Sequence, residues 1–158
     1  MALRNICTEG DPALRKVCRP VGEITPHIKE ILDDLVDTMR DADGVGLAAP
    51  QVAILRRMCV VEVEPGQVYE MINPQILSSE GDQEGEEGCL SVPGYFGTVH
   101  RPMKIKVEFL NREGETVTME AEEMLARAMC HEIDHLDGKL YTDIAENVHE
   151  YIPEEENQ

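Results

Sequence analysis

"CHEIDHLDG", residues 130–138, places two histidines four positions apart with a glutamate directly after the first. How this stretch is read decides what the rest of the chain must build around it. An α-helix advances about 100° per residue, so His131 and His135 lie about 40° apart around the axis and one turn apart along it. Side chains at this spacing are surface neighbours, with Cβ atoms roughly 5–6 Å apart. Two imidazole nitrogens can then meet one cation at about 2.0–2.1 Å each. Glu132 points about 60° to the far side of His135. It cannot share both ligand directions, but it can reach a water held beside them. This is the HExxH pattern, in which the glutamate serves as base and not as ligand.

The apolar residues around the motif predict a buried helix over about 122–137. Leu125, Ala128, Met129, Ile133 and Leu136 wrap one side, and Met124 and Ala128 continue toward the histidine face. Glu122 and Glu123 suit the positive helix start, and Gly138 stops it. Such a helix offers two ligands, whereas a catalytic tetrahedral site takes three and keeps one position open. His27, His100 and His149 lie in other elements. Cys130 points about 100° away from His131 and reads as a packed or free thiol. Cys89, in "EEGCLSVPG" (86–94), has glycines at 88 and 94 that let backbone come close. It is a candidate third ligand, and a small buried thiol packed as a hydrophobe is the competing reading.

The remaining elements are simpler. Thr25 and Pro26 start a helix whose Ile28, Ile31, Leu32, Leu35 and Met39 form one apolar stripe, with Gly44 as its end. Residues 1–24 read as extended, with a turn at Gly10, Asp11 and Pro12. "GVGLAAPQV" (44–52) is backbone that something approaches closely. "RMCVVEV" (57–63) reads as a buried strand and "VYEMINPQIL" (68–77) as a strand interrupted near Pro74. Residues 78–88 read as polar and flexible. "KIKVEFL" (104–110) and "ETVTME" (115–120) form a hairpin through "NREG".

Composition narrows the classes. The chain of 158 residues fits one domain and carries a net charge of −18. Such a surface repels phosphate backbones and anionic lipid, which argues against direct nucleic-acid or membrane binding. Five cysteines, with no CxxC pair, fit free thiols in a reducing cytoplasm. The first residues make neither a secretory signal nor a transit peptide. No apolar run approaches the roughly 18–20 residues of a membrane span.

Three segments now stand in order: "GVGLAAPQ" (44–51), "EEGCLSVPG" (86–94) and "HEIDHLDG" (131–138). Together with "GDPALR" (10–15), they resemble the peptide deformylase family from about residue 3 to about 145. The resemblance implies an α+β fold, with antiparallel β-sheets packed around a central HExxH-bearing helix and an N-terminal helix. It implies one domain over 1–158, with an acidic tail from about 146. The implied activity is removal of the N-formyl group from the formyl-methionine of newly made polypeptides, releasing formate. A metal-bound hydroxide would attack the formyl carbon.

Position by position, the resemblance implies Cys89, His131 and His135 as metal ligands and Glu132 as catalytic acid–base. It implies Gln51 and the Leu90 N–H as oxyanion donors, and Val45 and Gly46 as the backbone beside which substrate lies. It implies one divalent metal per chain, ferrous iron in the cell, with zinc, nickel or cobalt able to occupy the site. Around these, Asp134 reads either as a residue that orients a ligand or pairs with Arg101 or, nearly as well, as a helix-surface carboxylate, and Glu87 is expected to bond near the Cys89 loop. Met124 and Ala128 could line a pocket for the substrate methionine, though ordinary core packing is the stronger reading for both. Tyr95 and Phe96 are expected as exposed aromatics beside the site.

Three positions depart from the family's common pattern. Cys130 stands where Gln is frequent, Gly85 where an apolar residue helps form the pocket, and "GYFG" (94–97) where the chain is usually more polar. These bear on pocket shape and not on the reaction. Some relatives dock on the ribosome through a basic C-terminal helix. Here residues 146–158 are acidic and broken by Pro153, so any ribosome contact is not expected to run through the tail. Two rival readings are a zinc endopeptidase and a non-catalytic metal binder. The cysteine upstream of the helix and the Gln51 segment oppose the first, and an intact Glu132 opposes the second.

Overall fold

Strand and helix patterns interleave along the chain, and the computed structural model, which describes residues 2–150, resolves them into two sheets and two helices. Helix α1 spans Pro26–Asp41. Strand β1 covers Gly46–Ala48, β2 Met58–Val61, β3 Tyr69–Glu80, β4 Gln83–Cys89 and β5 Val92–Arg101. Then come β6 (Lys104–Leu110), β7 (Thr116–Glu122), α2 (Glu123–Leu136) and β8 (Glu146–Glu150). One antiparallel sheet has the order β1-β2-β3-β6-β7 and the other β4-β5-β8. The fold is α+β, as the sequence leads one to expect.

Alternation along the central strands explains the layering. Successive strand residues face opposite sides. In β2, Met58 and Val60 join the core that contains Ile28, Leu32, Leu35 and Met39 of α1. Cys59 and Val61 turn the other way, into the core that contains Met129, Ile133 and Leu136 of α2. Every residue of β2 is buried, because a helix covers each face. Each large apolar side chain so buried contributes about 1.5–3 kcal/mol. A third cluster, including Leu14, Val92, Val99, Leu140 and Tyr141, lies under the smaller sheet.

The helix ends follow local chemistry. Thr25 Oγ1 accepts the Ile28 N–H at 3.3 Å to cap α1. The expected stop at Gly44 is wrong in detail. The helix ends at Asp41, and the left-handed residue is Asp43, φ 57°, a residue type that tolerates that conformation. Gly138 does end α2, with φ 76°. A Cβ there would stand 2.7 Å from the Arg15 carbonyl oxygen, so this corner needs glycine twice over.

The larger corrections concern the second sheet. Residues 78–88 are not a flexible stretch: β3 runs on to Glu80, and β4 occupies Gln83–Cys89. Nothing in the sequence reading anticipated β5 or β8. Part of the acidic tail, Glu146–Glu150, forms β8 and pairs with Tyr95, Phe96 and Thr98 of β5. Pro153 and the rest of that tail lie outside the described residues.

Candidate metal centre

Helix α2 runs through the middle of the molecule and buries the motif. His131 is 8% exposed, Glu132 4% and His135 1%. The two imidazoles meet edge to face, with ring centroids 5.0 Å apart. Cys89, at the end of β4, brings its Sγ to 3.3 Å from His135 Nε2. One ligand-type atom from each of Cys89, His131 and His135 lies within 4.8 Å of the other two. Tetrahedral bonds of about 2.0–2.3 Å would set ligand atoms roughly 3.3–3.8 Å apart. One sulfur and two imidazole nitrogens at this spacing suit a single borderline divalent cation.

The surroundings fit a cation as well. His131 Nδ1 is 2.8 Å from Glu87 Oε1, which fixes the ring and leaves Nε2 toward Cys89. Glu132 Oε1 is buried with no protein partner among the described residues. Burial pushes the Glu132 carboxyl up to about 7, against the opposing pull of His131. The other oxygen, Oε2, lies against Gly46 so closely that no Cβ fits there.

A buried ion network backs the ligands. Arg101 bonds Glu87 through two nitrogens at 2.9 Å each, and Asp134 at 2.6 Å. Arg127 Nη1 bonds Glu87 at 2.6 Å. Burial alone would raise the Glu87 carboxyl, but hydrogen bonds from Arg101 and His131 bring it down to about 2. Of the readings open for Asp134, pairing with Arg101 is the one found. Cys130 is a buried thiol, raised to about 11 by burial, and packs in the core.

Gln51 sits on a 3₁₀ turn after β1. Its Oε1 accepts the Ala48 N–H at 2.9 Å, and its Nε2 donates to Ser91 Oγ at 3.0 Å and toward Cys89 Sγ at 3.6 Å. Gln51, Leu90, Val45 and Gly46 line a cleft of about 450 Å³ together with Cys89, His131 and Glu132. His135 is buried behind the other two ligand candidates and is not part of the cleft wall. Met124 and Ala128 line the same cleft, Met124 half-exposed and Ala128 buried. Tyr95 is exposed at the rim, whereas Phe96 is only partly exposed.

Three contributors were missed. Ser91 is fully buried and fixes the Gln51 carboxamide; its only sequence signal was adjacency to Leu90. Tyr141 stacks on His131 with centroids 6.1 Å apart, and nothing local flagged it. Arg127 was passed over because an arginine on a helix is usually solvated.

Known proteins place the chain firmly. The family model for polypeptide deformylase matches residues 3–150. A peptide deformylase of Agathobacter rectalis is 51% identical over 158 residues, covering 100% of this chain and 99% of that one. One of Caldanaerobacter subterraneus is 56% identical over 143 residues, 90% of this chain and 89% of that one. The crystal structure of peptide deformylase from Thermotoga maritima superposes with a TM-score of 0.90 at 40% identity, over 92% of this chain and 99% of that chain. Agreement of sequence and fold over nearly the whole length means that this chain belongs to the polypeptide deformylase family of metal-dependent hydrolases.

Proposed function

We propose that the chain removes the formyl group from the N-terminal formyl-methionine of newly made polypeptides, with Cys89, His131 and His135 holding one divalent metal. The observation that carries this is the convergence of those three side chains within 4.8 Å, beside a buried glutamate. When bound, a divalent cation supplies Lewis-acid activation of water and of the formyl carbonyl.

The chain's own residues do the rest. Glu132 takes the proton from water and delivers it to the leaving amine nitrogen. Its raised pKa, near 7, suits a group that must both accept and return a proton. Gln51 Nε2 and the Leu90 N–H face the developing oxyanion. Ser91 holds the carboxamide in place, so little reorganisation is needed. Glu87 keeps His131 in one tautomer. Val45 and Gly46 offer main chain beside which the peptide lies, with Gly46 in edge strand β1. Tyr95 and Phe96 are placed to touch residues further along the peptide.

We assign ferrous iron as the metal in the cell, with zinc, nickel or cobalt as possible occupants, since cysteine and histidine ligands accept several first-row ions. We treat residues 1–158 as one domain and place it in the cytoplasm. Free thiols at Cys7, Cys18, Cys59, Cys89 and Cys130 support a reducing compartment, and no helix among the described residues is long and apolar enough to cross a membrane. The net charge of −18 opposes direct nucleic-acid or membrane contact, and any ribosome contact would not use a basic tail.

The test is anaerobically purified protein incubated with a formyl-methionyl peptide, with formate assayed and peptide masses read. Formate release with loss of one CO unit and no shortened fragments is expected. Chain cleavage would move the assignment to a peptidase. A metal-loaded preparation that releases no formate would move it to a metal binder without activity.

A further inference from the structure

The wall of the cleft contains a charged side chain that the reaction does not use. Arg127 lies one helical turn before His131 and lines the cleft, yet it is only 6% exposed. Its guanidinium crosses the face of β4. A Cβ added at Gly85 would stand 3.1 Å from Nη2 and 3.3 Å from Cζ, so the arginine fills the space a side chain at position 85 would take. Arginine carries five N–H donors. Here three bonds are made: Nη1 to Glu87 Oε2 at 2.6 Å, Nη1 to the Val99 carbonyl at 3.2 Å, and Nη2 to the Gln83 carbonyl at 3.4 Å. The two remaining donors, on Nε and Nη2, have no acceptor among the described residues, and Nε keeps contact with solvent.

We infer that Arg127 determines specificity: laid across Gly85 and anchored on Glu87, it gives the cleft a hydrogen-bond-donating floor that selects a first residue whose side chain ends in an acceptor. The inference rests on the deformylation reading above. With the formyl carbon at the Cys89–His131–His135 set, the first residue's side chain leaves the reacting centre within a few ångströms. One buried wall of the same cleft is the preceding turn of α2, which carries Arg127 and Ala128. One turn is about 5.4 Å, within reach of a four-atom side chain. A thioether sulfur is a weak, polarisable acceptor and an alkane carbon is none. A sulfoxide oxygen is a much stronger one. The floor therefore favours methionine over its all-carbon analogue norleucine and tolerates methionine sulfoxide.

The experiment compares kcat/KM for three tripeptides that differ only in the first residue: formyl-methionine, formyl-norleucine and formyl-methionine sulfoxide. Ratios are taken within one preparation, so metal occupancy and the active fraction cancel. A merely structural role for Arg127 would lower all three rates together. For the unaltered protein, formyl-methionine is expected to exceed formyl-norleucine by about threefold or more, the scale of one weak hydrogen bond. In R127M that ratio should fall to near one, and the sulfoxide peptide should lose on the order of tenfold or more relative to methionine. If R127M does not fold, R127K serves. A lysine ammonium has three donors but on a single nitrogen, so once drawn to Glu87 it no longer spans to the Gly85 floor as the planar guanidinium does, and its ratios should move at least halfway toward those expected of R127M. Unchanged ratios in the variant that folds would overturn the assignment alone. No formate from any of the three peptides would overturn the deformylation reading, and the assignment with it.

Discussion

Gly46→Ala is a small change with a calculable effect. The Gly46 backbone is not in the left-handed region, so alanine brings no conformational strain, and the consequence is purely steric. The added Cβ would lie 2.8 Å from Glu132 Cδ and 2.9 Å from Cγ, and nearer still to Oε2. Real Cβ atoms do not come so close to carbon, so the carboxylate must move. Glu132 is 4% exposed, and the one open direction for its carboxylate is the cleft that it lines, away from its seat on β1. Overpacking of this kind costs about 1–3 kcal/mol, which at this length lowers Tm by roughly 2–12 °C. A catalytic group displaced by about 1 Å loses on the order of 100-fold in rate. The expected outcome is a fall in kcat of roughly 10- to 100-fold with KM little changed. Thermal unfolding and steady-state formate release read the two effects. In an E132A background the clash is gone, so G46A should then leave Tm unchanged. If G46A alone keeps kcat within about threefold of the parent and Tm unaltered, the tight seat of Glu132 on β1 is refuted.

Other outcomes separate binding from chemistry. C89A should release metal during gel filtration and lose turnover, whereas E132A should hold stoichiometric metal and lose about 10²- to 10⁴-fold in kcat; metal analysis beside formate assays distinguishes them. E87Q removes the charge that Arg101, Arg127 and His131 share. It should cost about 3–5 kcal/mol of stability and weaken metal retention about 10- to 100-fold, read by denaturant unfolding and chelator competition. Stripping the metal with a chelator should lower Tm, and adding one equivalent back should restore it, because the ion binds only the folded chain. Ferrous preparations should lose activity in air; equal activity of aerobic and anaerobic samples would count against iron as the working metal.

Much of this fold was written in local pattern. The stripe of α1, the periodicity of α2 with its Gly138 stop, and the β6–β7 hairpin around "NREG" all needed only neighbours within a few residues. The second sheet was hidden for a physical reason. In β4 the inward positions are Gln83, Gly85 and Glu87, and the exposed ones include Glu84 and Glu86, so no hydrophobic alternation exists to read. Its inner face is satisfied by arginines from β5 and α2, contacts 14 and 40 residues away in sequence. In β5, Pro93, Gly94 and Gly97 look like turn residues, yet the strand persists with β4 and β8 on either side. The same limit governed the candidate site. The two histidines were legible because one helix sets their spacing. Cys89 was ambiguous from its surroundings alone, since only the β4–β5 hairpin closing over α2 brings it near them.

The β4 carboxylate at position 87 also constrains how this molecule can diverge. A single side chain accepts from the arginine under the cleft wall, from the arginine of β5 and from a histidine of the ligand set. A lineage that exchanges Arg127 to change its diet disturbs the same oxygens that steady His131. Lasting shifts in side-chain taste should therefore arrive through Met124 or Tyr95, which touch the cleft without touching that hub, or through paired changes at 85 and 127 that leave the hub's charge matched.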